Sequence, residues 1–188
     1  LCGGITVFTP IVEFDINSSH KVGIIGIGGL GHLAIQFCKA LGCHVTAFTS
    51  SSDKNDLLAS LGADEIVSST DKPSIDALGA QFDFLISTVN VKLDWNLFLN
   101  IIKPRGRLHF VGAVLDPIAV SVFSLMGGRR SISGSPVGSP KNITKMLNFC
   151  AEHKISPLVE HFKFNDINTA IKKLRDNKVR FRAVLTWK

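Results

Sequence analysis

A doubly wound α/β sheet with parallel strands is the fold this sequence predicts, on three observations. Short apolar runs alternate with stretches of helical periodicity along most of the chain, which is the rhythm of βαβ units. The first run, Val22-Gly23-Ile24-Ile25, is apolar at consecutive positions, as in a strand buried on both faces of a parallel sheet. The length, 188 residues, suits about one domain that buries roughly 70% of its unfolded surface without disulfides or metal.

The helix after that strand carries Leu30, Leu33, Ala34, Phe37, Cys38 and Leu41 at helical spacing and stops at Gly42. A second strand is predicted over Val45 to Phe48. The polar stretch Thr49 to Lys54 follows, then a short helix from Leu57 to Leu61 and a strand at Glu65-Ile66-Val67. A polar segment holding Ile75 and Leu78 leads to a strand over Phe82 to Ile86. Leu93 to Ile102 reads as helix and Leu108 to Val111 as strand, joined by the turn Pro104-Arg105-Gly106. After Gly112 the rhythm loosens, through Asp116-Pro117 and Gly127-Gly128, before a strand around Ser131 to Ser133. Ser139-Pro140 marks a helix start: a hydroxyl N-cap, then a proline whose missing N–H costs nothing in the first turn. Ile143, Met146, Leu147 and Cys150 give that helix its buried face. The chain closes with a strand (Val159 to Phe164), a helix (Ile167, Ala170, Ile171, Leu174) and a strand (Ala183 to Thr186).

Composition narrows the function. A hydrophobic content of 45% excludes a disordered chain, and no uncharged apolar run approaches the roughly 18 residues of a membrane span. Twenty-one Lys+Arg against 15 Asp+Glu give a net charge of +6, which suits an anionic ligand. The surplus is scattered and no nucleic-acid module is present, so a nucleic-acid partner is not expected. Cys2, Cys38, Cys43 and Cys150 form no C-x-x-C pair, so neither a zinc ribbon nor a redox pair is signalled. The chain begins at Leu1 without a signal-peptide pattern, which reads as a fragment or a processed chain of the reducing cytoplasm.

Between the first strand and its helix lies Gly26-Ile27-Gly28-Gly29-Leu30-Gly31, a G-x-G-x-x-G. Its place at a strand-to-helix junction is what gives the pattern meaning. Gly26 permits the sharp turn, Gly28 lets backbone approach a pyrophosphate, and Gly31 lets helix and strand pack closely. The helix start then offers free N–H groups and the positive end of its dipole to phosphate. A turn needing glycine for packing alone, and a methyltransferase with a related loop, are the competing readings.

The end of the second strand selects the dinucleotide. A carboxylate about 20 residues after the loop would bind a ribose 2′-hydroxyl and favour NAD. Here the strand ends Phe48-Thr49-Ser50-Ser51-Ser52, with no acid before Asp53, and then Lys54. Hydroxyls and a lysine suit a 2′-phosphate instead, through charge-assisted hydrogen bonds of about 1.5–3 kcal/mol each. NADP is therefore the expected cofactor. The serines have a second reading, as the N-cap of the helix that follows.

These residues also carry a resemblance. Gly26-Ile27-Gly28-Gly29-Leu30-Gly31-His32, with Ala34 and Lys39-Ala40-Leu41-Gly42, resembles the cofactor domain of zinc-dependent medium-chain alcohol dehydrogenases, in the cinnamyl-alcohol-dehydrogenase-like branch. Leu61-Gly62-Ala63-Asp64, Gly128-Arg129-Arg130, Gly134-Ser135 and Val179-Arg180-Phe181-Arg182 extend it in order over essentially the whole chain. The resemblance implies that Thr49, Ser50, Ser51 and Lys54 grip the NADP 2′-phosphate. It also implies that Val89, Val111, Gly112, Ala113, Ser135, Pro136 and Val137 meet the nicotinamide ring and carboxamide. Leu1-Cys2-Gly3-Gly4-Ile5-Thr6-Val7 resembles the segment supplying the third protein ligand of the catalytic zinc. Cys2 would be that ligand, and Thr6 would lie near the nicotinamide.

The fold so implied is a doubly wound parallel Rossmann sheet whose C-terminal segment would return to a missing GroES-like catalytic domain. Residues 1–18 would form a junction helix, 19–153 the NADP-binding domain and 154–188 the strand-helix-strand segment, with an apolar patch left exposed there. In the family the absent amino-terminal domain supplies the other zinc ligands, the proton relay and a structural zinc site. A catalytic zinc needs three protein ligands and an open position, so Cys2 alone cannot build it. Cys38, Cys43 and Cys150 read as packing residues. His32, one residue past the loop, either contacts phosphate or sits on the helix surface, and His109 reads as a satisfied core residue. The expected function is the cofactor half of an NADP- and zinc-dependent dehydrogenase of primary alcohols and aldehydes, inactive by itself, in a homodimer through the edge strand near Ser131 to Ser133. A stand-alone NADP-binding module and a zinc-free medium-chain reductase are the alternatives.

Overall fold

Consecutive apolar residues force β1 (Lys21–Ile25) into the middle of a sheet, since either face left open would expose them. In the computed structural model, which describes residues 1–176 and 178–187, β1 lies between β2 (His44–Thr49) and β4 (Phe82–Ser87). With β3 (Glu65–Ser68), β5 (Ile102–Phe110) and β6 (Ser131–Gly134) they form a parallel sheet in the order β3-β2-β1-β4-β5-β6. The predicted doubly wound Rossmann topology is thus present. Strand order reverses between β1 and β4, so a crevice opens at the carboxyl ends of those strands.

Strand alternation divides the core in two. Val22, Ile24, Val45, Ala47, Phe84 and Ile86 face a layer that includes Leu33 and Phe37 of α2 (Gly31–Ala40) and Ile5 and Phe8 of α1 (Cys2–Glu13). Ile25, Phe48, Leu85 and Leu108 face the other layer, with Ile75, Trp95 and Phe98. Each fully buried residue of this size contributes about 1.5–3 kcal/mol. The second layer is built from α4 (Lys72–Asp76), α5 (Trp95–Asn100) and α6 (Val122–Met126), while α3 (Asn55–Ser60) packs Leu58 into the first. Helix α7 (Pro140–His153) joins α1 on the first face and begins as the sequence predicts, with Asn142 N–H donating to Ser139 Oγ at 3.2 Å.

Several local expectations need correction. Strand β5 begins at Ile102, which pairs with Phe82, and the ladder shifts before it resumes at Arg107 opposite Phe84. The predicted turn Pro104-Arg105-Gly106 is an excursion within that strand, with Arg105 at φ 68° and its N–H donating to Gly128 O at 2.7 Å. Because the sheet takes Ile102, the preceding helix contracts to α5. Helices α4 and α6, of five residues each, are too short for periodicity to reveal. Phe164 leaves its strand for a 3-10 turn over Phe164–Asp166.

The C-terminal strands β7 (Val159–Lys163) and β8 (Arg182–Thr186), linked through α8 (Ile167–Arg175), pair in parallel as a separate small sheet. Phe164, Leu185 and Trp187 stay exposed on it, Trp187 at 80%, as expected for the final segment. Among the described residues, no helix is long and apolar enough to cross a membrane.

Candidate cofactor cleft

The glycine loop forms where β1 ends. Gly26 takes φ +87°, a left-handed turn that side-chain-bearing residues rarely adopt, and its N–H donates to Phe48 O at 2.9 Å. The Thr88 hydroxyl, at the end of β4, donates to Gly26 O at 2.6 Å, so the two strands flanking the crevice hold the turn together. A Cβ on Gly31 would fall inside contact distance of the Gly26 carbonyl oxygen, which explains the third glycine. Gly28 differs: a Cβ there would meet nothing within 4 Å. Among the described residues, the N–H groups of Gly28, Gly29, Leu30 and Gly31 make no backbone hydrogen bond.

A cleft of about 620 Å³ opens beside this loop. It gathers Gly26, Gly28, Gly29 and Leu30 from the loop, Thr49, Ser50, Ser51 and Lys54 from the end of β2, and Val89 after β4. Thr88, Asn90, Ser69 and Thr70 add further polar groups. A second cavity of about 230 Å³, lined by Ser50, Ser51, Ser52, Asn55 and Ser68, adjoins the end of β2. Thr49 Oγ1 accepts from Ser51 N–H at 3.3 Å and donates to Ser51 O at 3.1 Å, which folds the strand end back. The N-cap of α3 is Lys54 and makes no side-chain cap bond. The serines are therefore not caps, and the alternative reading of Ser50 to Ser52 fails.

Other predicted site residues lie outside this lining. Val111, Gly112 and Ala113 follow β5, with the N–H groups of Val111 and Gly112 donating to Ser87 O at 2.9 and 3.0 Å. Ser135, Pro136 and Val137 follow β6, and Ser135 Oγ lies 2.9 Å from His109 Nε2. Thr6 is buried in α1, its hydroxyl donating to Cys2 O at 2.7 Å. Gly31 sits behind the loop as a packing contact. Cys2 is exposed, and among the described residues no group of three or more His, Cys, Asp or Glu could hold a metal ion. Its neighbour Gly3 would place a Cβ against Arg182 and 3.4 Å from Gly29 O, so α1 begins beside the glycine loop.

The two notable histidines are both buried. His32 neither points to the cleft nor sits on the helix surface, contrary to both expectations. Nδ1 lies 3.0 Å from Gly28 O, Nε2 accepts Leu158 N–H at 3.2 Å, and the ring stacks on Phe181. Burial lowers its pKa. His109 lies between the hydroxyls of Ser133 and Ser135, at 2.8 and 2.9 Å. Burial, with Arg107 nearby, lowers its pKa to about 4.

Residues that sequence reasoning gave no role complete the cleft. Phe181 and Arg182 reach it from the far end of the chain. Arg182 Nη1 donates to Gly29 O at 3.4 Å, and Lys54 Nζ lies 5.9 Å from the Phe181 ring centroid. The only signal for them was Val179-Arg180-Phe181-Arg182, which carried the resemblance but no assignment.

Comparison with known proteins agrees with this geometry. Residues 29–152 match the family described as zinc-binding dehydrogenase. An aldehyde reductase of Synechocystis is 52% identical over 185 residues, covering 98% of this chain and 55% of that protein. The structure of a cinnamyl alcohol dehydrogenase from Sorghum bicolor superposes with a TM-score of 0.94 at 35% identity, over 98% of this chain and 53% of that one. A cinnamyl alcohol dehydrogenase from Helicobacter pylori, solved in complex with NADP(H), superposes with a TM-score of 0.87 at 30% identity, over 98% and 53%. The chain spans about half the length of the relatives it matches.

Proposed function

Since the chain belongs to the zinc-binding dehydrogenase family, we propose that it is the NADP-binding half of a dehydrogenase that interconverts primary alcohols and aldehydes. The observation that carries this reading is the single cleft joining Gly28, whose Cβ position is open, to the hydroxyls and ammonium at the end of β2. Loop amides free of backbone partners suit a diphosphate. Ser50, Ser51 and Lys54 suit a 2′-phosphate, with Lys54 neutralising its charge. Asp53 also lines the cleft, after the serines and not at the strand end, where a carboxylate would face the ribose. The names of the Synechocystis and sorghum relatives support the substrate class, and the NADP(H) of the Helicobacter complex supports the cofactor.

When bound, the nicotinamide supplies hydride transfer. In this reading the chain's task is to bind and orient. The loop amides and Arg182 fix the diphosphate, while Val89, Val111 to Ala113 and Ser135 to Val137 border the ring. Thr6 faces it from α1. The described residues do not fit a complete zinc centre, since Cys2 would supply one ligand of the three required. Strand β6, at the sheet edge, would pair with a second copy in the homodimer.

Thermal unfolding with each coenzyme tests the cofactor assignment. Ligand at 100 times its dissociation constant adds about 2.7 kcal/mol, a rise of roughly 5–11 °C for a domain of this size. NADPH should give that rise and NADH a much smaller one. Equal rises would remove the 2′-phosphate argument.

A further inference from the structure

From the contacts around His32 we infer that this residue positions the glycine loop by docking the C-terminal strand-helix-strand unit onto it, so that dinucleotide binding and docking of that unit are coupled. The inference rests on the cofactor reading above and deepens it. His32 is completely buried in the first turn of α2. A carbonyl can only accept and a backbone N–H can only donate. The contacts with Gly28 O at 3.0 Å and Leu158 N–H at 3.2 Å therefore fix the ring with its proton on Nδ1 and a lone pair on Nε2. One imidazole thus spans two backbone groups 130 residues apart in the chain: the loop residue whose Cβ position is open, and the entry to β7.

Phe181 completes the device. Its ring lies on His32 at 4.5 Å and 8°, with Lys54 Nζ 5.9 Å from its centroid. A Cβ on Gly29 would come within 3.0 Å of Phe181 O, and Arg182 holds Gly29 O from the same strand. Phe181 is held at φ 65° while nearly buried. For a bulky aromatic that is a conformation that persists only when the surroundings over-determine it, and such strain collects at functional positions. The ring therefore stacks on His32, which holds the glycine loop, and lies 5.9 Å from Lys54 Nζ of the serine-rich loop, so it sits between both halves of the cleft. Whatever orders the loop orders β8, and by reciprocity whatever orders β8 favours the dinucleotide.

Hydrogen exchange of the full chain, with and without saturating NADPH, tests this on His32→Phe, which keeps the stack and loses both hydrogen bonds. Without ligand, the variant should exchange Leu158 and the β8 amides at least tenfold faster, with β1 and β4 unchanged. With NADPH, the wild type should protect those C-terminal amides, while the variant should bind about tenfold more weakly and protect the glycine loop alone. Phe181→Leu, which keeps both His32 bonds, should show a smaller loss of the same coupling and serves if His32→Phe does not fold. Unchanged ligand-free exchange, or NADPH protection of β8 in the variant equal to wild type, would overturn the inference. Absence of NADPH binding by the wild type would overturn the cofactor reading and, with it, the coupling. The ligand-free comparison still decides the docking role.

Discussion

Two glycines three residues apart should fail in opposite ways when given a methyl group. A Cβ on Gly31 would lie inside contact distance of the Gly26 carbonyl oxygen and 3.1 Å from its carbon. Neither atom can yield without moving α2 from the end of β1. Overpacking of this kind costs about 1–3 kcal/mol, and at about 2–4 °C per kcal/mol for a chain of this length the melting temperature of Gly31→Ala should fall by about 2–12 °C. Gly28 has no neighbour within 4 Å of its Cβ position, so Gly28→Ala should be unchanged or up to about 1 kcal/mol more stable through reduced unfolded-state freedom. Its methyl would occupy the room assigned to the diphosphate, however. NADPH affinity should fall at least tenfold, about 1.4 kcal/mol. Calorimetric unfolding with and without NADPH measures both effects. If Gly28→Ala keeps the full NADPH-induced rise, or melts several degrees lower without ligand, the assignment of this space to a diphosphate is wrong.

Four further outcomes are expected. Ser50→Asp should reverse the order of NADPH and NADH affinities, and Lys54→Ala should weaken NADPH while leaving NADH nearly unchanged; a fluorescence titration reads both. His109, ordinarily near 6.5 and about 4 in the folded chain, takes up a proton in the unfolded state first. Its contribution is therefore complete above pH 6.5 and lost as pH falls toward 4. The loss by pH 4.5 should be up to about 2–3 kcal/mol, seen in urea midpoints and reduced in His109→Gln. Chelation with EDTA should leave the NADPH-induced rise in melting temperature unchanged, because the groups assigned to the dinucleotide include no metal ligand.

What the sequence made legible was local. Val22 to Ile25, the glycine loop and the Ser139-Pro140 helix start each declare themselves within a few residues, because strand burial, a left-handed turn and an N-cap are set by near neighbours. The turn at Pro104-Arg105-Gly106 was legible, but not that β5 runs on both sides of it, since Ile102 pairs with Phe82 and the Arg105 N–H is satisfied by Gly128 on a distant turn. His32 was misread for the same reason. Its spacing fits an outward position on α2, yet Leu158 and Phe181 arrive from the far end of the chain to cover it. Arg182 entered the cleft by the same route. Of the candidate site, the half held by adjacent loop residues could be read from spacing. The half supplied by the C-terminal unit depended on packing that no periodicity encodes.

The most direct measurement is a crystal structure of this chain with NADPH. The account predicts a diphosphate within hydrogen-bond reach of the Gly28-to-Leu30 amides, with the 2′-phosphate between Ser50, Ser51 and Lys54. Density for the coenzyme elsewhere, or an adenosine whose 2′-phosphate turns away from Lys54 into solvent, would contradict it.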